Sequence, residues 1–268
     1  CRNPLLEKNR KEGNDMKPII DTLIDRGLSL FNGQRLEDIR AGLGYTAVKL
    51  DTQRAGVACM LRHRLGKSTC SLLPNAGCLS GMTADRALPL LRSPNPVEAS
   101  IGLAALNALV DEGKAGESSN DDLVEMLGIT PKDRVGMVGD IMPLLRMIRD
   151  HAGHCVVFDE GKNEEAGITA TDLEREELPR CSVVLLSATS LLNGTFDDVL
   201  SMASGAREIC VIGPSAPLLP DIFRDRGVTM LSGRRFTDVD RLLRIVSEAG
   251  GTKCFGPVSV KVNIRLKE

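Results

Sequence analysis

Beyond residue 133 the chain alternates short apolar runs with segments of helical period, and this alternation constrains the fold more than any other feature. Expected strands cover 134–138, 155–159, 183–188, 208–212 and 229–231, and expected helices cover 142–152, 196–203, 218–225 and 239–248. A strand that is apolar at nearly every position needs cover on both faces. Helical connections of about ten residues supply that cover, so the pattern predicts a parallel sheet in an α/β arrangement, a Rossmann-like domain.

Ahead of this half the pattern differs. Residues 16–31 place Ile19, Ile20, Leu23, Ile24, Leu28 and Phe31 at helical spacing, which predicts an amphipathic first helix. Residues 39–50 and 54–61 read as two strands joined through Asp51-Thr52-Gln53. Residues 83–91 read as a short helix capped by Thr83. Ser93-Pro94-Asn95-Pro96 then fixes an extended entry into an Ala-rich, buried helix. Glu98 in its first turn either complements the helix dipole or faces a pocket. Residues 113–122 are polar, contain Gly and Ser, and lack apolar period, so the boundary is placed near residue 118. The expected division is a smaller α+β domain over 16–118 and the Rossmann-like domain over 119–268, with residues 1–15 as a polar tail.

Charge and composition exclude several classes of partner. Lys and Arg number 34 against 36 acids, a net charge of −2, so no basic footprint for nucleic acid exists. Aromatics make up 3% with no Trp, which removes the stacking surfaces a single-strand binder needs. There is no apolar run of membrane-spanning length and no secretory pattern at the start, so the expectation is a cytoplasmic protein without a membrane partner. Eight cysteines are scattered without a CxxC, which predicts reduced thiols. Cys70 and Cys78 flank a turn at 73–77. They either pack as small apolar residues or, as thiolates with Cys59, hold a soft metal.

In a parallel sheet of this kind ligands bind outside the carboxyl ends of the strands. The residues expected there are Gly139, Asp140 and Pro143 after the first strand, Asp159 after the second, Asn193-Gly194-Thr195 after the third, and Gly213-Pro214-Ser215 after the fourth. Thr195 or Asn193 is expected to cap the following helix, and Pro217 suits a first helical position. Ser215 lacks the G-x-S-x-G setting of a serine hydrolase and reads as a cap or ligand donor. Asp159 follows Gly139 by 20 residues, the spacing at which a dinucleotide fold places its ribose-binding acid. One reading makes Gly136 to Gly139 a cradle for an organic cofactor, a nucleotide, S-adenosylmethionine or a pterin, with Asp159 gripping a hydroxyl pair. Gly139→Val should then abolish binding and leave the fold nearly intact. Asp140 opposes it by placing negative charge where a pyrophosphate would sit, and suits a hard metal ligand instead.

Four motifs occur in order: S-P-N-P-V-E-A-S-I-G-L-A-A-L-N-A-L at 93–109, V-G-M-V-G-D-x-x-P at 135–143, L-L-N-G-T at 191–195 and V-I-G-P-S-A-P-L-L-P at 211–220. Together they resemble the putative heavy-metal chelation domain family, formerly a domain of unknown function. The resemblance implies a first domain similar to the N-terminal domain of enolase, a Rossmann-like second domain, and a site in the cleft between them. It carries over Gly136, Gly139, Pro143, Asn193 to Thr195 and Gly213 to Ser215, with Asn95 and Glu98 from the first domain. Glu98, Asp140, Asp159, Cys70 and Cys78 are then the candidate metal donors. The expected partner is a small-molecule or metal ligand, a divalent or heavy-metal ion among them, and assembly into a homo-oligomer stays open.

Overall fold

The computed structural model describes residues 16–66, 71–110, 123–139, 141–162 and 167–266. The helices in chain order are α1 (Ile19–Leu30), α2 (Ala84–Ala87), α3 (Pro96–Leu109), α4 (Leu123–Met126), α5 (Met142–His151), α6 (Glu174–Glu177), α7 (Ser190–Asn193), α8 (Phe196–Met202), α9 (Pro220–Arg224) and α10 (Val239–Ser247). The strands are β1 (Leu36–Ala41), β2 (Tyr45–Leu50), β3 (Ala55–Cys59), β4 (Arg134–Val138), β5 (His154–Phe158), β6 (Val183–Ser187), β7 (Glu208–Ile212), β8 (Met230–Phe236) and β9 (Ser259–Arg265). None of the described helices is long and apolar enough to cross a membrane.

The first sheet is antiparallel in the order β1-β2-β3. Residues 39–50, expected as one strand, are split at Gly42-Leu43-Gly44, where Gly42 N–H donates to the Tyr45 carbonyl at 2.9 Å. A side chain at Gly42 would stand 2.1 Å from the Val246 carbonyl oxygen, so the turn is glycine because the end of α10 presses on it. The expected turn at Asp51-Thr52-Gln53 is present, with Gln53 at φ 65°.

α3 explains why its sequence shows no polar face. It is buried on nearly every side: β3 lies flush against it, and a Cβ at Gly56 would meet the Ala104 carbonyl oxygen at 2.3 Å. β2 is tied to the same helix, where Thr46 and Ser100 share a buried hydrogen bond of 2.6 Å.

The second sheet has the order β5-β4-β6-β7-β8-β9, with β4 to β8 parallel and β9 antiparallel on the edge. Val135, Met137, Val183 and Leu185 point into one core with Leu145 and Ile148 of α5. Val184 and Leu186 point into the other, which reaches Ile19, Val48 and Leu103 of the first half. A third core joins Ala47 and Val57 to Phe236, Leu242, Val246 and Phe255. Two of the three cores therefore run across both halves of the chain. The boundary expected at residue 118 lies outside the described residues.

Three local expectations need correction. β9 was not expected, because Lys261, Asn263 and Arg265 break its apolar pattern. Asn263 instead accepts from Ser232 Oγ at 2.8 Å, and Arg265 forks onto Glu208 at 2.9 Å twice. β8 extends well beyond 231 for the same reason. The helix after β7 begins at Pro220, not Pro217. Proline suits either place sterically, but the chain first runs past the end of β3 in a non-helical segment.

Candidate functional site

The strand order reverses at β4: the chain steps outward to β5 and then returns to β6 on the other side. The crevice such a reversal opens at the carboxyl ends is the natural ligand site of a parallel sheet. Gly139 stands there at φ +92°, a conformation glycine adopts without cost. Its N–H is already committed to the Phe158 carbonyl at 2.7 Å, so it offers no donor to a phosphate. A Cβ on Gly139 would lie 2.5 Å from Ser187 Cβ, so substitution there strikes the fold first, contrary to the expectation that Gly139→Val spares it. Gly136 lies inside β4, where a side chain would meet Cys181 Sγ and Leu178 at 3.0 Å; it is a packing glycine.

The neighbouring tips are bound among themselves. Ser187 Oγ accepts from Thr189 Oγ1 at 2.9 Å, and Gly194 ends α7 in the left-handed conformation. Asn193 Oδ1 accepts from Thr195 N at 3.1 Å and from Thr195 Oγ1 at 2.8 Å, so Asn193 does the polar work that Thr195 was expected to share. Thr195 holds the N-cap position of α8 without a capping side-chain bond. Asp197, in the first turn, ties down α1 by accepting from Ile19 N at 3.0 Å.

From the first half, the end of β3 and the turn Arg62–Arg64 reach over these tips. Cys59 N–H donates to Ser215 Oγ at 2.8 Å, and Asn107 Nδ2 donates to the Ser215 carbonyl at 3.1 Å and to Val57 O at 2.9 Å. Ser215 is fully buried and holds the two halves together. Arg64 forks onto Glu160 at 2.8 to 3.0 Å and donates to the Asn193 carbonyl at 3.1 Å, while Asn193 Nδ2 donates to Glu160 Oε2 at 3.2 Å. His63 Nε2 stands 3.6 Å from the same carboxylate. Asp159 Oδ1 accepts from Gly161 N at 3.0 Å.

The charges of this seam act on one another. Burial pushes the Cys59 thiol up to about 11, Arg62 pulls it back, and the nearby Asp159 charge adds to the rise. Glu160 feels burial as its largest single influence, yet Arg64, Asn193 and His63 together hold its carboxyl below the usual value. Burial, and secondarily the Glu160 charge, raise Glu174.

The structure thus gathers Gly139, Asp159, Asn193, Gly194, Thr195, Gly213, Pro214 and Ser215 along one edge. Asn95 and Glu98 belong to the other end of α3 from Asn107, about 14 to 18 Å away along the helix axis. Asn95 caps α3 by accepting from Val97 N at 2.9 Å and donates to Leu72 O at 2.7 Å. Glu98 accepts from Ser93 Oγ. Cys78 is exposed. Asp140 and Cys70 lie outside the described residues. Among the described residues no three His, Cys, Asp or Glu form a group able to hold a metal ion. Arg64 and Asn107 were not among the expected site residues, and Cys59 was expected only as a soft ligand beside Cys70 and Cys78. The one signal in sequence was the run Arg62-His63-Arg64 directly after an apolar strand.

Residues 122–265 match a protein-family model described as putative heavy-metal chelation, and residues 20–110 match a second model of the same description. An uncharacterised protein of Methanocaldococcus jannaschii is 28% identical over 174 residues, 64% of this chain and 67% of that one. A crystal structure of a protein of unknown function from Pyrococcus horikoshii, of the family matched by 122–265, superposes with a TM-score of 0.78 at 24% identity. It covers 92% of this chain and 99% of that one, a likeness of fold alone. A second protein of unknown function from that family, from Desulfitobacterium hafniense, gives 0.77 at 25% identity, covering 92% and 97%.

Proposed function

This chain belongs to the family described as putative heavy-metal chelation, and on that footing we propose that it binds a metal in chelated form where the β3 end meets the carboxyl edge of the parallel sheet. The observation that carries the reading is that Cys59, at the end of β3, stands close enough to Asp159, past the tip of β5, to feel its charge, so one soft and one hard donor face the same seam from opposite halves. Two donors leave a coordination sphere incomplete, so a bare ion fits these residues poorly. A metal already held by an organic chelator fits them, with the chelator supplying the remaining donors. Cys59 must lose its proton to ligate, which makes binding pH-dependent. Asn193 and the Arg64–Glu160 pair hold the two walls at fixed separation. In the same reading the second half is a Rossmann-like domain, the first is similar to the N-terminal domain of enolase, and the protein works in the cytoplasm.

The test is calorimetry on demetallated protein with Ni²⁺, Co²⁺, Zn²⁺ and Cu(I), each alone and as a nitrilotriacetate complex. The proposal expects the complexes to bind more tightly than the free ions, with Asp159→Asn and Cys59→Ser each weakening them about tenfold or more. No binding tighter than about 10 μM, roughly 7 kcal/mol, by any of them would refute it.

A second reading is an organic cofactor such as a nucleotide, S-adenosylmethionine or a pterin. Asp159 at the tip of β5, beside the reversal at β4, favours it. Thermal-shift titration with these cofactors in the absence of metal distinguishes the two readings.

A further inference from the structure

The turn Arg62–Arg64 is anchored at its ends and not in its middle. Leu61 is buried before it and Leu65 packs against the large core after it, whereas no side chain of the turn itself is buried. Its backbone closes on itself: Arg64 N–H donates to the Leu61 carbonyl at 3.0 Å and Leu65 N–H to the Arg62 carbonyl at 3.1 Å. The contacts that hold it against the second half are polar.

Those contacts converge on the two strands that flank the reversal. Arg64 takes Glu160, past the tip of β5, with three hydrogen bonds, and its Nη1 takes the Asn193 carbonyl, after β6. The order β5-β4-β6 sets these two strands about 9 to 10 Å apart, so one guanidinium spans the mouth above β4. His63 closes the side next to Asp159. A Cβ built on Gly161 would stand 3.3 Å from His63 Nδ1 and 3.4 Å from Asp159 Oδ1, so the imidazole and that carboxylate lie against the same stretch of backbone. Cys59, at the foot of the turn, feels both Arg62 and Asp159. The turn therefore lies across Asp159 and Cys59, fastened by an ion pair that is more than a third exposed on both sides. Salt screens such a pair and water competes for it.

We propose that the turn Arg62–Arg64 is a strap that opens and closes over the seam between Asp159 and Cys59, with Arg64 as its latch on Glu160 and Asn193. Anchored at both ends by leucines and latched between them by a screened charge, it swings without disturbing either core. Opening admits the chelated metal, and in that respect the inference rests on the proposed function. The movement itself needs no metal.

Iodoacetamide labelling of Cys59 at pH 8, followed by peptide mass spectrometry, reads opening in metal-free protein. Arg64→Gln should speed it about fivefold or more, and about 0.5 M NaCl should speed it in the unaltered protein. Exposed Cys78 is the control and should change little in either case. Loss of a positive charge by itself disfavours the thiolate and slows labelling, so a rise reports opening. Gly161→Ala is the second variant: its Cβ presses on His63 and should speed labelling with Arg64 in place. Circular dichroism and urea midpoints establish that both variants are folded. Stopped-flow mixing with nickel nitrilotriacetate then reads entry, and Arg64→Gln should associate about fivefold faster or more than the unaltered protein. Cys59 labelling that is unchanged or slowed in folded Arg64→Gln would overturn the strap. Faster labelling with an unchanged nickel association rate would overturn its control of entry. If no nickel complex binds the unaltered protein, the proposed function fails, and the labelling rates alone decide the strap.

Discussion

Replacing Gly139 by alanine probes the strand reversal directly. Gly139 has φ +92°, which costs an L-residue about 1 to 2 kcal/mol. The new methyl would also stand 2.5 Å from Ser187 Cβ, a distance that real Cβ contacts do not reach, so β4 or β6 must shift. Overpacking of this kind costs about 1 to 3 kcal/mol, giving roughly 2 to 5 kcal/mol in total. Gly194→Ala supplies the control, since Gly194 has φ +78° and nothing within 4 Å of its would-be Cβ. It should lose only the backbone share, about 1 to 2 kcal/mol. Ser187→Gly removes the colliding carbon, so the double variant with Gly139→Ala should cost less than the sum of the singles by about 1 to 3 kcal/mol. Urea unfolding followed by circular dichroism, with slopes checked for constancy, measures all four proteins. Equal costs at 139 and 194, together with no coupling to Ser187, would refute the close approach of the β4 and β6 tips.

Gly56→Ala forces a Cβ to within 2.3 Å of the Ala104 carbonyl and 2.4 Å of Ala108 N, both backbone atoms that cannot swing away, and should cost more than about 3 kcal/mol or prevent folding, read by soluble yield and urea midpoint. Asp133 accepts from Arg207 at 2.9 Å and from Thr130 and Ser182, and these bonds, Arg207 foremost, hold its carboxyl well below the usual range. A depressed carboxylate contributes its full stability above the unfolded value of about 3.9 and loses it as pH falls toward the folded value. Asp133→Asn should therefore destabilise at pH 7 and flatten the fall in melting temperature below about pH 4; an unchanged acid limb would contradict the assignment. The Arg64–Glu160 pair is more than a third exposed on both sides, so Glu160→Gln should cost under about 1 kcal/mol, measured by urea unfolding at low and high salt. Burial and the raised thiol of Cys59 predict that iodoacetamide at pH 8 labels exposed Cys78 and Cys254 well before Cys59, as peptide mass spectrometry would show.

The parallel sheet is legible in sequence because burial makes β4 to β7 apolar at nearly every position between their ends, a signal local to five residues. β9 is not legible for the opposite reason. Its Asn263 and Arg265 find partners on β8 and β7, so the polar positions that seem to rule out a strand are satisfied by residues 31 and 57 positions away. The split of the first hairpin at Gly42 depends likewise on the end of α10. At the site, glycines and small polar residues mark the strand tips, and Asn193 and Asp159 are found that way. What closes over them is invisible to local pattern: Arg64 meets Glu160 across 96 positions and Cys59 meets Ser215 across 156. Gly136 misleads because a glycine that admits Cys181 and a glycine that cradles a ligand look alike in one sequence.

The central claim is that a chelated metal binds between the end of β3, at Cys59, and the tip of β5, at Asp159. Crystals grown with nickel nitrilotriacetate, measured at the nickel edge, test it most directly. The account predicts one dominant anomalous peak beside Asp159 and Cys59, absent from Asp159→Asn crystals. A dominant peak elsewhere on the molecule, or a peak that persists unchanged in the variant, would contradict it.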